Sequence, residues 1–228
     1  MAKAKFFNKG LAKGTVSKSE VITFKNKNKE DSAFLAMEVA TGNGNKVKVT
    51  HFPSKANPNR HQEVYENFPV GNMVEVTGNV SERAYENKAG KNVIDRGLSA
   101  NSFKPLIDET KTGATFILQG IITKLKETED GVQVLINVDT SYTNKDNKVI
   151  EQSDDFHLEG DSDILELMEE LDANVGCNVK FKGRMVNQLE FDDYGDIVSS
   201  SNMFKIERVE DVIEKDDLIE ETEELGFL

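Results

Sequence analysis

Three lysines at alternate positions, Lys25, Lys27 and Lys29, stand shortly before Phe34, and Lys46 and Lys48 stand shortly before Phe52. Farther along, Arg83, Tyr85, Lys88 and Lys91 share one polar stretch. Cationic side chains track phosphates, and aromatic faces stack flat heterocycles without reading their edges, each stack being worth roughly 1–3 kcal/mol. Together these residues suit a single-stranded nucleic acid, provided the fold gathers the stretches onto one surface. Taken singly, each lysine is ordinary solvated charge. Phe34 and Phe52 would equally serve as packing contacts under a covering segment, and Tyr85, at a loop tip, has less to pack against.

No other constellation offers reactive chemistry. The chain has no Gly-x-x-x-x-Gly-Lys-Ser/Thr phosphate loop, no Gly-x-Ser-x-Gly and no His-Glu-x-x-His. His51 and His157 are isolated, and no Cys/His cluster has metal-ligand spacing. His61 falls on the apolar face of a helical pattern, where a core residue is expected. Cys177 is the one cysteine, which excludes an intrachain disulfide and fits a reducing cytoplasm. The expectation is a non-enzymatic binding protein without metal or cofactor.

The elements that must position these residues occur twice. Val70-Gly71-Asn72-Met73-Val74-Glu75-Val76-Thr77-Gly78 is echoed by Val175-Gly176-Cys177-Asn178-Val179-Lys180-Phe181-Lys182-Gly183. Each is a Val-Gly pair, then apolar and polar residues in alternation, then a second glycine seven residues after the first. Alternation marks a half-buried strand, and glycine within it marks a sharp bend. Other pieces match in the same order, at offsets of about 99 to 106 residues: 14–18 with 120–124, 33–39 with 132–138, 59–68 with 163–171, and 99–104 with 200–205. Two copies of one small β-domain follow.

In the first copy the pattern predicts strands at 15–22, 33–39, 46–52, 73–80 and 93–103, with a helix over 59–68 between the third and fourth. Residues 1–13 read as an N-terminal extension, 24–32 as a polar loop, and 81–92 as a long hairpin loop. Thr41-Gly42-Asn43-Gly44-Asn45 reads as a tight turn, because Asn-Gly supplies positive φ. The second copy repeats the order, with strands near 116–125, 131–141, 150–158, 178–186 and 197–206 and a helix at 163–171. An order β-β-β-α-β-β is that of the oligonucleotide-binding (OB) fold, a five-stranded Greek-key barrel. The predicted class is all-β with short helices: two tandem OB barrels, residues 1–107 and 112–211, a linker at 108–111, and an acidic tail at 212–228 expected to be mobile.

Charge divides along the chain. Residues 1–107 carry 17 Lys+Arg against 10 Asp+Glu, whereas 108–228 carry 11 against 31. A basic half beside an acidic half points to nucleic-acid binding plus an acidic arm. No apolar run approaches the roughly 18 residues of a membrane-spanning helix, and the first residues lack the apolar stretch of a signal peptide, so a cytoplasmic protein is expected.

Alternation also assigns faces. Leu35, Met37, Val39, Val47 and Val49 turn into the first barrel, and Phe34, Lys46, Lys48 and Phe52 turn out. OB barrels bind oligonucleotides across the outer face of strands two and three, between the loops after strands one and four. Those loops hold Lys25, Lys27 and Lys29 and then Arg83, Tyr85, Lys88 and Lys91. The equivalent outward positions of the second copy are Gln133, Leu135, Asn137, Asp139, Asp155, His157 and Glu159, a face that repels a phosphate backbone. The first copy is therefore expected to bind, and the second to brace it, self-associate or receive a partner.

Two OB-like repeats, a lysine and aromatic face in the first, and an acidic tail closing on Phe227-Leu228 resemble the bacteriophage single-stranded DNA-binding proteins, including the tandem OB kind. The resemblance is architectural and spans the chain. It implies sequence-nonspecific binding of single-stranded DNA in phage replication, recombination and repair. It also implies a tail (Glu220, Glu221, Glu223, Glu224, Phe227, Leu228) that recruits replication and recombination proteins and competes with DNA. Here the aromatic is penultimate rather than terminal, and the second barrel is acidic. Two alternatives remain: a β-barrel scaffold of a virion or replisome, in which Phe34, Phe52 and Tyr85 are buried, and an RNA-binding OB protein.

Overall fold

The computed structural model describes residues 6–25, 29–54, 57–86, 90, 92–107, 111–143, 149–191 and 197–217. Lys27, Lys88, Lys91 and the tail residues 220–228 lie outside them. Two compact units are formed: Asn8–Ile117 with Lys182–Glu207, and Leu118–Phe181 with Phe6, Phe7 and residues 208–217.

Five strands of the first copy close a ring: β1 (Phe7–Lys25), β2 (Asp31–Gly42), β3 (Asn45–His51), β4 (Met73–Glu86) and β5 (Asn92–Pro105), with helix α1 (Arg60–Asn67) between β3 and β4. Their order around the ring is β1-β2-β3-β5-β4, and β4 returns to β1. β3 and β5 run parallel while the other pairs are antiparallel, which is the OB arrangement. Leu35, Met37, Val39, Val47, Val49, Val74, Val76 and Leu98 fill the interior at 2% exposure or less, as alternation predicts. Each such apolar side chain contributes about 1.5–3 kcal/mol by leaving water.

The second copy closes a ring in the same order. Its strands are β6 (Gly113–Thr128), β7 (Gly131–Asp139), β10 (Ser153–Asp161), β11 (Asn178–Phe191) and β12 (Ile197–Ile213), with helix α2 (Ser162–Glu170) after β10. β8 (Tyr142–Thr143) and β9 (Val149–Ile150) form a small separate ladder. The ring runs β6-β7-β10-β12-β11 and returns to β6. In the unit holding most of it, Leu118, Ile122, Val134, Ile136, Phe156, Leu158 and Phe181 are buried, and α2 adds Ile164 and Met168. Asp161 caps α2 by accepting from the Ile164 N–H.

The paired glycines have two separate jobs. Gly71 and Gly176 lie at φ of 94° and 98° in the turns before β4 and β11, where other residues are strained. Gly78 and Gly183 lie against backbone: a Cβ would run into the carbonyl oxygen of Ser99 and of Lys205 respectively. Asn43 and Gly44 both take positive φ between β2 and β3, the tight hairpin expected.

Several segments differ from the sequence expectation. Residues 7–13 are no extension: β1 begins at Phe7 and pairs with β4 from Gly10 opposite Gly78 to Thr15 opposite Met73. The inward positions there are Gly10, Ala12 and Gly14, too small to show as an apolar stripe. Both ends of the loop at 24–32 are ladder, since β1 and β2 stay paired through Phe24 opposite Ser32 to Lys25 opposite Asp31. Within the loop expected at 81–92, residues 81–86 and 92 belong to a β-arm, with β4 and β5 paired from Val80 opposite Leu98 to Glu86 opposite Asn92, held by backbone pairing rather than an apolar stripe. The acidic stretch after 206 continues as β12 to Ile213, with Val209 buried and Lys180 bonded to Asp211 at 2.9 Å. The strand expected at 150–158 is instead Ser153–Asp161, Ile150 belonging to β9. His61 is only half-buried, and Val64 is the buried residue of α1.

Candidate nucleic-acid interface

Register builds an outer face on β1, β2 and β3. Leu35 pairs with His51 and Val21 with Leu35, so Phe34 lies between Ile22 of β1 and Phe52, just past β3. The next outward row is Glu20, Ala36 and Thr50, and the one after is Lys18, Glu38 and Lys48. A row rich in aromatics, a mixed row holding the carboxylate of Glu20, and a charged row thus cross three strands side by side.

The aromatic row is continuous. Phe34 and Phe52 stack with centroids 4.9 Å apart and planes 23° from parallel. Phe24 meets Phe34 edge-on at 5.8 Å. Phe24 and Phe52 are 38% and 39% exposed, so part of each is open to solvent. They line an open groove of about 650 Å³ with Ile22, Ala36, Thr50, Lys48 and Arg83. Arg83, from the β4–β5 arm, places its guanidinium carbon 5.9 Å from the Phe52 ring centre. Tyr85, two residues on and therefore on the same arm face, is 50% exposed.

Charge in the groove is balanced rather than basic. Lys48 Nζ donates to Asp95 Oδ1 at 2.6 Å, and Lys18 Nζ donates to Glu20 Oε1 at 3.0 Å. That hydrogen bond to Glu20 raises the Lys18 ammonium above its ordinary pKa. Lys25 pairs with Asp31 at 2.6 Å at the end of the β1–β2 ladder.

Of the residues singled out in the sequence, Phe34, Phe52, Lys48 and Arg83 therefore share the groove, with Tyr85 on its flanking arm. Lys25 and the exposed Lys29 stand beyond its β1–β2 end. Lys46 is exposed but lies beside the β2–β3 turn, where its backbone N–H donates to Asn187 Oδ1 and Asn45 Oδ1 accepts from the Asn187 N–H at 2.9 Å. Sequence reasoning missed Phe24, Lys18, Glu20 and Asp95. Phe24 was legible, because Lys18, Glu20, Ile22 and Phe24 alternate along β1. Asp95 was not, because it joins the groove only through strand pairing.

On the second ring, Gln133, Asp139, Asp155 and His157 are exposed, as alternation predicts. Asn137 donates to Asp155 at 2.7 Å, and the Ser141 N–H and hydroxyl hold Asp139 below its ordinary pKa. β6 adds Lys124 opposite Leu135 and Lys126 opposite Gln133, so the face is mixed in sign, not uniformly acidic, and it has no aromatic at the positions of Phe34 and Phe52. Among the described residues no His, Cys, Asp and Glu side chains cluster as metal ligands, and no helix is long and apolar enough to cross a membrane.

A scan of protein-family descriptions and a search of curated proteins find no match. Solved structures do. A deletion mutant of the single-stranded DNA binding protein from Thermus aquaticus matches with a TM-score of 0.57 and 17% identity, over 94% of this chain and 97% of that one. The wild-type protein matches with a TM-score of 0.57 and 16% identity, over 91% and 93%. At such identity the likeness is one of fold, and it extends along nearly the whole length of both chains.

Proposed function

We propose that this chain binds single-stranded DNA without sequence preference, through the outer face of its first barrel. The observation that carries the reading is the partly exposed stack of Phe34 on Phe52 with Arg83 over the Phe52 ring, on the face where OB barrels bind oligonucleotides. A cluster of aromatics with flanking cations is what sequence-tolerant strand binding requires. The scaffold alternative expects these rings to be covered, whereas Phe52 and Tyr85 are 39% and 50% exposed. The match to single-stranded DNA binding proteins along most of the chain adds support.

In this reading the protein serves phage DNA replication, recombination and repair as a tandem OB protein. The second barrel braces the first, mediates self-association or receives a partner. The acidic tail recruits replication and recombination proteins and competes with DNA for the groove. The test is a titration of the full chain against fluorescent oligo-dT, oligo-U and duplex DNA at two salt concentrations. Tight, salt-sensitive binding of oligo-dT is expected. Absence of binding at low salt would sink the reading and promote the scaffold, and a preference for oligo-U would transfer the protein to RNA.

A further inference from the structure

Three carboxylates line the groove, Glu20, Glu38 and Asp95, and the placement of Asp95 is specific. It lies on β5 directly across from Arg83 on β4, and its carboxylate accepts from Lys48 Nζ at 2.6 Å. Residues directly opposite in an antiparallel ladder have Cβ atoms about 4.5–5.5 Å apart, so one carboxylate stands between a cation of the strand floor and a cation of the arm. Arg83 is also the group poised over Phe52. A base stacked on Phe52 would bring its phosphate toward Arg83 and Lys48, where Asp95 now stands. Both partners of the ion pair are reachable from solvent, with side chains 55% and 38% exposed, so the pair can open without disturbing the core.

Building on the nucleic-acid reading above, we propose that Asp95 is an intramolecular stand-in for phosphate, and that a strand enters the groove by taking Lys48 from it. Affinity is then held down by a competitor at very high local concentration. The salt dependence is also shallower than the cations of the groove imply. A phosphate that takes Lys48 releases a counterion from the DNA, but the freed Asp95 carboxylate recruits one back. Asp95 thereby sets how readily a bound strand is surrendered, without itself contributing attraction.

The experiment compares full-length wild type, D95N, D95S, K48Q and the D95N/K48Q double variant on fluorescent oligo-dT across a salt series, with circular dichroism to verify folding. D95N is expected to tighten binding about three- to tenfold at low salt and to steepen the salt slope by about 0.7, the increment for one more neutralised phosphate on a single strand. D95S should shift binding in the same direction. K48Q should cost more in the D95N background than in wild type, because only there is Lys48 unclaimed. If wild type binds oligo-dT but folded D95N and D95S bind equally or more weakly, Asp95 only orients Lys48 or stands idle, and the inference is overturned. If no version binds at low salt, the nucleic-acid reading itself fails and carries this one with it.

Discussion

Phe34 shows how one residue serves two purposes. Its backbone belongs to the β1–β2 ladder opposite Ile22, while its ring, on the face away from Leu35, stacks on Phe52. Leu35 is fully buried and Phe34 half-buried, so substitutions at the two should separate fold from binding. Leu35→Ala is expected to cost roughly 2–5 kcal/mol of stability through the cavity it leaves, read as a lowered denaturant midpoint. Phe34→Ala and Phe52→Ala should each weaken oligo-dT binding by about 1–3 kcal/mol with a much smaller effect on stability. If binding survives both, the platform lies elsewhere. Tyr85→Ala extends the test to the arm.

At the scale of elements, the β4–β5 arm carries Arg83, Tyr85 and Asp95 and must be held in place. Its anchor is Arg96, whose Nε donates to Glu82 Oε2 at 2.7 Å, with both side chains mostly buried. Arg96 also donates to the Asn202 carbonyl at 3.1 Å, and the Asn202 amide returns a bond to the Arg96 carbonyl at 2.8 Å. Arg96→Met would leave Glu82 buried beside an apolar chain, a loss expected to cost about 3–5 kcal/mol. Thermal unfolding should shift down, whereas the exposed pair Arg60–Glu63 of α1 should matter little when broken. A second clasp joins β1 to β4, where Lys13 Nζ meets Glu75 Oε2 at 2.8 Å. The hydrogen bond from Lys13 holds the Glu75 carboxyl below its ordinary value of 4.5. That contribution is complete above the unfolded pKa and is lost as pH falls through the lower folded one. An acid titration of unfolding should therefore fall less steeply for Glu75→Gln than for wild type.

Across the whole molecule, charge is distributed against expectation for a DNA binder. The chain carries −13 overall, and the lysines of its groove are already met by carboxylates. On the proposed reading, net attraction for a polyanion would come from stacking and from local exchange of carboxylate for phosphate, and the acidic tail would be a further competitor. Removing residues 218–228 keeps all of β12 and the turn Lys215–Asp217, and it deletes four glutamates. Binding of oligo-dT at low salt is expected to tighten on truncation and to converge with the full chain at high salt, where screening weakens the tail. Equal affinities at low salt would remove the tail from the groove's energetics.

The amino-acid order alone determined the order of the ring strands, the interior positions Leu35, Met37, Val39, Val47 and Val49, the Asn43-Gly44 hairpin and the outward direction of Phe34, Lys48 and Phe52. These follow from period-two alternation and from φ, both local properties that neighbouring residues impose. Alternation failed where its inward members were small, as at Gly10, Ala12 and Gly14. It failed also along the β4–β5 arm, whose buried pair is the charged Glu82 and Arg96 rather than an apolar stripe. Only the tertiary structure decided which residues meet across strands. Phe24 meets Phe34 through the β1–β2 register, and Arg83 comes to stand over Phe52 and Asp95 takes Lys48 because closing β4 and β5 onto β1 and β3 brings together positions dozens of residues apart. Pairing register is a property of the closed sheet, and no single strand carries it.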